Sequence, residues 1–248
     1  MNLQEFFAQY PKAAVAFSGG VDSAYLLYAA QTYGRDIRAY YVKSEFQPQF
    51  ELRDARRLAA QLGADLRVLA LEVLSDPRIA ANPPDRCYHC KNRIFSAIAR
   101  AAEEDGYAVL LDGTNASDDS ADRPGMRALA ERGVLSPLRL CGLTKAQVRQ
   151  RSQEAGLFTW DKPAYACLAT RVAAGETITR DKLAATEQAE AFLSSLGFSD
   201  FRIRTQGGQA RLQLPEAQFP LLLEKRREIL TRLRAYYTTI ALDLEARA

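Results

Sequence analysis

Residues 13–23 constrain the fold more than any other stretch. Ala13–Ser18 is a short apolar run stopped by Gly19 and Gly20, and residues 22–33 then carry helical spacing. A buried parallel strand that turns directly into a helix fits this pattern. Asp22 and Ser23 fall in the first turn, and Gly34 ends the helix. Such a turn suits an anionic phosphate. Glycines permit unusual backbone angles and close approach, so several N–H groups point inward beside a helix N-terminus. Ser18 and Ser23 add hydroxyl donors. Asp22 disfavours bare phosphate, and its expected task is to hold the magnesium ion that accompanies ATP. No Walker lysine follows. An ordinary strand–helix turn with a glycine pair is the bland alternative.

The alternation continues. Ile37–Lys43 reads as a strand, 49–62 as a helix before Gly63, Leu66–Leu71 as a strand, and 89–104 as an amphipathic helix. Ala108–Leu111 is a strand running into Asp112-Gly113-Thr114-Asn115, and Val134–Leu138 is expected as the last strand, before a helix over 144–154. Residues 117–133 read as a polar, mobile excursion. This order predicts an α/β class with a doubly wound parallel sheet, in which Asp112, Gly113, Thr114 and Asn115 face the same crevice as the first loop. After about residue 175 the pattern changes to helix, two short strands around Gly207-Gly208, a helix and a final strand. That is a small C-terminal α+β domain, giving expected domains 1–172 and 173–248.

Bulk properties narrow the options. Against 33 basic residues stand 30 acidic, a net charge of +3 that argues against a dedicated nucleic-acid binder. No apolar stretch approaches the ~20 residues that span a bilayer, and residues 1–5 do not open a signal peptide. A cytoplasmic location with no membrane partner is expected. Four cysteines are too few for a disulfide scaffold, leaving metal ligands, nucleophiles or buried fillers. Cys87 and Cys90 form a C-x-x-C at a helix start, with the single histidine, His89, between them. Cys167 is flanked by basic residues, Lys162 and Arg171 among them, that could lower its pKa, and Cys141 reads as structural. Arg202 and Arg204 alternate on one strand and face one side, an arrangement suited to gripping phosphate. Glu187 and Glu190 share a helix face. Glu190 is a candidate for metal or substrate contact, a solvated carboxylate pair being the other reading. Lys225-Arg226-Arg227 reads as a solvated helix face.

SGGVDS (residues 18–23) resembles the phosphate loop of the PP-loop, N-type ATP pyrophosphatases, which have the adenine nucleotide alpha hydrolase-like fold. Such enzymes adenylate a carbonyl or carboxyl oxygen and release pyrophosphate. The resemblance implies that Ser18, Gly19, Gly20, Asp22 and Ser23 hold the pyrophosphate part of ATP with Mg2+. It also places the backbone of Ala16 and Val42 by the adenine, with Lys43 and Ser44 as neighbours. RCYHCK (86–91), DGTN (112–115), KPAYACLATR (162–171) and FRIRTQGGQARLQL (201–214) are similar to the LarE family over nearly the whole length. These are ATP-dependent sulfur transferases that help build the nickel-pincer nucleotide of lactate racemase.

The resemblance implies a small-molecule nucleotide substrate, pyridinium dicarboxylate mononucleotide, whose phosphate meets Arg202 and Arg204. In one branch a cysteine at the Cys167 position gives up its own sulfur and becomes dehydroalanine. In the other, three cysteines hold a 4Fe–4S cluster whose open iron carries an extra sulfide. Cys87, Cys90 and Cys167 stand at all three places, which favours the cluster branch. Zinc with His89 as an imperfect fourth ligand is the alternative. A closed homo-oligomer is implied, a hexamer among the options. Rival readings are a tRNA thiolase, an ammonia-dependent ligase of the NAD synthetase type, and an adenine-nucleotide sensor without catalysis.

Overall fold

A computed structural model describes residues 1–118 and 124–247, and the chain divides into two compact units. The first comprises residues 1–73 and 85–163, the second residues 74–84 and those from 164 onward. Whereas the domains expected from sequence are 1–172 and 173–248, these units divide at 163/164 and place residues 74–84 with the C-terminal segment. Asn82 is the reason. Its backbone is left-handed (φ 55°), and its buried side-chain amide donates to the carbonyls of Val172 and Ala173. Around it, Gly175 N–H donates to Asn82 O and Ile178 N–H to Ala80 O.

In chain order the elements are α1 (Leu3–Gln9), β1 (Lys12–Ala16), α2 (Val21–Tyr33), β2 (Asp36–Lys43), α3 (Gln49–Leu62), β3 (Asp65–Ala70), α4 (Pro77–Ala80), α5 (Arg86–Glu104), β4 (Leu110–Leu111), α6 (Pro124–Ala130), α7 (Pro137–Leu140) and α8 (Lys145–Glu154). The first unit holds a parallel sheet of order β3-β2-β1-β4. Both of its faces are covered, as an all-parallel sheet requires. Ala13, Val15, Ala39 and Tyr41 point into a core with α1, α2, α3 and α8, while Ala14, Tyr40 and Val42 point into a second core with Ile98, Ala101 and Ala102 of α5. Period-two alternation thus buries both sets, which is why these strands read as unbroken apolar runs.

Two expectations change here. Val134–Leu138 does not form a strand, because Pro137 cannot donate to a ladder and instead opens α7. Leu135 alone bridges to Leu111, with Leu135 N–H donating to Leu110 O and Asp112 N–H to Leu135 O. The excursion expected over 117–133 is partly helical as α6, and residues 119–123 of it lie outside the described residues.

The second unit has α9 (Arg180–Ser195), β5 (Arg202–Gln206), β6 (Gln209–Gln213), α10 (Phe219–Leu233) and β7 (Thr239–Leu242). Its sheet runs β5-β6-β7, antiparallel then parallel. Gly207 and Gly208 both take positive φ (54° and 78°) in the β5–β6 turn, the conformation that hairpin turns demand. Leu193, Ile203, Leu212, Ile229 and Leu233 pack a separate core. No described helix is long and apolar enough to cross a membrane.

Candidate functional site

The chain leaves β1 at Ala16 and turns at Ser18–Gly20 into α2. Gly19 takes φ +78°, and Gly20, at φ −79°, is the N-cap and offers no side chain to the helix. The first-turn N–H groups of α2 therefore lack a side-chain cap, an anion-attracting end. The serines shape the turn. Ser23 Oγ accepts from Ser18 N–H (3.2 Å), donates to Gly20 O (3.1 Å) and lies 3.0 Å from Ser18 Oγ. Ser23 is thus a buried brace, and Ser18 is the more exposed hydroxyl of the pair.

β1 and β4 are adjacent, with β2 and β3 on the other side of β1, so the crevice between their carboxyl ends is the switch point of the sheet. The Asp112–Asn115 turn meets the first loop there. A Cβ on Gly113 would lie 2.8 Å from Ser23 N and 2.9 Å from Ser23 Cα, so only glycine lets the two turns touch. Asp112 is buried, accepting from Ser136 Oγ (2.5 Å) and Thr114 Oγ1 (2.5 Å). Both oxygens serve the turn itself. Asn115, also buried, donates to Asp22 Oδ1 (3.2 Å).

Two cations at this loop escaped the sequence reading. Lys145, at the start of α8, donates through Nζ to Asp22 Oδ2 (2.5 Å), and its N–H donates to Ser117 Oγ (3.0 Å). Lys162 Nζ lies 2.7 Å from Asp54 Oδ2 and 3.5 Å from Gly19 O. The loop has no Walker lysine of its own, but α8 and the segment after it supply ammonium groups from 123 and 143 residues away. Lys162, a basic flank of Cys167 along the sequence, has its charge engaged by Asp54. The signals were its place in KPAYAC and a lysine directly after the capping threonine of α8, neither tied to the loop by spacing. Lys43, expected near the nucleotide, donates to the carbonyls of Ser44 and Gln47, and Ser44 is buried in the same turn. Ala16 and Val42 stand at the carboxyl ends of β1 and β2.

Cys87 and Cys90 lie one turn apart at the start of α5, which begins three residues earlier than expected. Cys87 is exposed and Cys90 buried. Arg86 Nη2 lies 3.6 Å from Cys87 Sγ. His89 Nε2 faces Asp85 Oδ2 at 3.2 Å. Cys141 packs against the first core, and burial pushes its thiol pKa up. Among the described residues no three His, Cys, Asp or Glu side chains are gathered as a metal site.

Cys167 belongs to the second unit and precedes a single 3-10 turn, Leu168–Arg171. Arginines pin the carbonyls around it. Arg171, fully buried, donates to Ala166 O (2.7 Å) and Thr170 Oγ1 (2.9 Å), with Cys167 O at 3.5 Å. Arg202 donates to Ala164 O and Arg204 to Thr170 O. Glu190 compensates this charge from α9. Its oxygens accept from Arg171 Nε (2.8 Å) and Nη2 (3.1 Å), Tyr165 Oη (2.6 Å) and Ile203 N–H (3.1 Å). Four donors on one buried carboxylate make it a brace for this segment. Burial works against the Arg171 charge, but Glu190 outweighs it and raises the pKa. Arg202 and Arg204 have lowered pKa values, first from burial and then from repulsion by Arg171 and Arg247. Arg171, Arg202 and Arg204 thus outnumber the carboxylates beside them, Glu190 and Asp200, the latter 3.8 Å from Arg202 Nη1. Glu187, on the same helix, is half-buried. Lys225 pairs with Glu224 and Glu228, while Arg226 and Arg227 are exposed, the solvated face expected.

The asparagine synthase family matches residues 9–118, which include the loop and the Asp112–Asn115 turn. Pyridinium-3,5-bisthiocarboxylic acid mononucleotide synthase of Lactiplantibacillus plantarum is 38% identical over 209 residues, covering 84% of this chain and 76% of that protein. An uncharacterized protein of Synechocystis is 38% identical over 218 residues, 88% and 81% of the two chains. The tRNA-specific 2-thiouridylase of Thermotoga petrophila is more distant, at 24% over 189 residues, 59% of this chain and 52% of that one.

Proposed function

The chain belongs to the LarE family, and on that premise we propose its reaction: ATP-dependent sulfur transfer to pyridinium-3,5-biscarboxylic acid mononucleotide. The product carries thiocarboxylates, on the route to the nickel-pincer nucleotide of lactate racemase. The observation that carries this reading is the closed Ser18–Ser23 loop at the sheet's switch point, flanked by Lys145 and Lys162.

A carboxylate oxygen of the acceptor attacks the α-phosphorus of ATP. The bond from that phosphorus to the bridging oxygen breaks, and pyrophosphate leaves. The N–H groups of the loop and of α2, with the Ser18 hydroxyl, hold the pyrophosphate as its charge grows. Lys145 and Lys162 supply the positive charge that a Walker lysine would bring. Asp22, steadied by Asn115, is the oxygen donor suited to Mg2+, which when bound neutralises phosphate charge. Ala16 and Val42 present backbone to the adenine. Gly113 sets the fit of the crevice, and Asp112 and Thr114 keep its wall in shape. A sulfur nucleophile then attacks the acyl carbon, and AMP leaves with the oxygen. Arg202 and Arg204 grip the acceptor phosphate, while Glu190 positions Arg171 and the Cys167 segment instead of holding a metal.

Two sulfur sources fit Cys167. As donor, it forms a thioester with the acyl group, then loses its α-proton as the Cβ–S bond breaks, leaving thiocarboxylate and dehydroalanine. As ligand, it would join Cys87 and Cys90 in holding a 4Fe–4S cluster, which would supply the sulfide. Three thiolates match that group by donor type alone, since the described residues do not gather them, and the cluster reading is preferred on the three cysteine positions. The protein is expected to act as a homo-oligomer in the cytoplasm.

The test is turnover of ATP, Mg2+ and the dicarboxylate mononucleotide with the anaerobically reconstituted protein. AMP, pyrophosphate and a thiocarboxylate product are expected, with the protein mass unchanged. Loss of the elements of H₂S at Cys167 assigns the sulfur to the cysteine itself. Absence of AMP with this acceptor, together with tight and salt-sensitive tRNA binding, replaces the reading with a tRNA thiolase.

A further inference from the structure

Strand β5 has two faces, and only one carries the arginines described above. Arg202 and Arg204 point to one side, while alternation sends Ile203 and Thr205 to the other, where Ile203 enters the core of the second unit. Thr205 is 6% exposed, and its hydroxyl has no hydrogen-bond partner among the described residues. A buried hydroxyl left unpaired costs stability, and native proteins keep few such groups. This one lines a cavity of about 330 Å³, a volume at the low end for small-molecule sites. The whole lining belongs to the second unit, with Lys182 and Ala185 on α9 and with Tyr236 and Tyr237 after α10.

The chemistry of the walls narrows the occupant. Lys182 Nζ is held by Glu176 (2.7 Å) and Thr177 O (2.7 Å), and Gly207 N–H donates to Glu176 (3.2 Å), so these two charges answer each other. Tyr236 Oη donates to Gln188 (2.6 Å), and Tyr237 Oη lies 3.3 Å from Thr186 Oγ1. A water at Thr205 would find these neighbours already engaged, whereas a buried water makes about three hydrogen bonds. The two tyrosine rings stand at 72° with centroids 6.3 Å apart, and with Ala185 they offer apolar contact to a flat molecule. Asp181 is an exposed part of the lining and has no ion pair among the described residues. Its charge repels an anion and attracts a cation.

We infer that this cavity binds a small aromatic ligand carrying a planar N–H group, an amide or an amidinium, for which the Thr205 hydroxyl is the acceptor. The site goes beyond the reaction proposed above and does not depend on it.

Benzamidine, benzamide and benzoate share a shape and differ in charge, which makes them suitable probes. Titrations of the whole chain followed by ligand-detected NMR should give Kd values on the order of 1 mM for benzamidine and benzamide. Benzoate should bind about tenfold more weakly than benzamidine. Thr205→Val keeps the shape of the side chain and should weaken benzamide by about fivefold. The same variant should melt no lower than the parent, because it removes the unpaired hydroxyl. Ala185→Leu puts bulk into the cavity and should abolish binding, and Asp181→Asn should narrow the gap between benzamidine and benzoate. Failure of both benzamidine and benzamide to bind the unsubstituted protein overturns the inference. So does unchanged benzamide binding in Thr205→Val, or benzoate binding as tight as that of benzamide. A Thr205→Val protein that melts below the parent also overturns it, since the hydroxyl is then already satisfied by water.

Discussion

Gly19, Gly20 and Gly113 look alike in the sequence and do different work. Gly19 needs its positive φ, so Gly19→Ala is expected to cost about 1–2 kcal/mol in backbone strain alone. Gly20 has ordinary angles, and a Cβ there would meet nothing closer than Ser18 Oγ at 3.5 Å. Gly20→Ala should therefore melt like the parent. Gly113→Ala pushes a methyl into the backbone of α2 and should lower the melting temperature and raise the KM for ATP. Thermal melts and ATP titrations of the three variants check this ranking, and an unperturbed Gly113→Ala protein would show that the two turns do not abut. Glu190 offers a second residue-scale test. Removing it leaves Arg171 charged and buried without its partner, a change that costs about 3–5 kcal/mol in comparable sites. Urea unfolding should show Glu190→Ala well below Glu190→Gln, which keeps an acceptor for Arg171. Equal midpoints for the two would mean that the carboxylate carries no such burden.

At the scale of elements, α8 is held at its start by a capping box. Thr144 Oγ1 accepts from Gln147 N–H and the Gln147 side chain reaches back to Thr144 N–H. The next residue is Lys145, whose ammonium meets Asp22. Thr144→Ala should lower stability by about 1 kcal/mol and also weaken ATP binding, because the fraying turn carries the lysine away from the loop. A variant with lowered stability and an unchanged KM for ATP would separate cap from site. Such capping was readable from local chemistry, as were the strands and helices of the parallel sheet, whose periodicity reflects burial on two faces. The loop was readable too, since glycines between a strand and a helix leave few other uses. What sequence could not supply was distance. Lys145 and Lys162 reach the loop from far along the chain, Arg171 looks like any surface arginine until its burial is seen, and Pro137 turned an apolar run into a helix start. Asn82 and its neighbours form an irregular stretch with no periodicity to read, although their partners lie in another segment altogether.

For the whole molecule, acid sensitivity should arise in both units, from Asp36 and Asp105 in the first and from Glu176 and Asp243 in the second, with Asp105 the most strongly lowered. Hydrogen bonds from Arg67, Tyr40 and Arg38 hold the Asp105 carboxyl down to about 2, and Tyr107 and Lys12 lower that of Asp36. A carboxylate with a depressed folded-state pKa stabilises the fold above its unfolded value of 3.8 and loses that contribution as the pH falls toward 2. Unfolding free energy should therefore decline across this window, and Asp105→Asn should flatten the decline. A pH profile unchanged by that substitution would assign acid sensitivity elsewhere. The excursion of residues 74–84 into the second unit has a consequence for synthesis on the ribosome. The side-chain amide of Asn82 finds its acceptors 90 residues later, at Val172. At translation rates of ~5–20 residues per second, the segment must wait about 5–20 s after it is made before those acceptors exist. During that interval the nascent chain carries an unclaimed loop inside an otherwise completable sheet domain. The newborn protein is thus exposed to proteases and chaperones at residues 74–84 first, and the arrival of the Cys167 region closes that window.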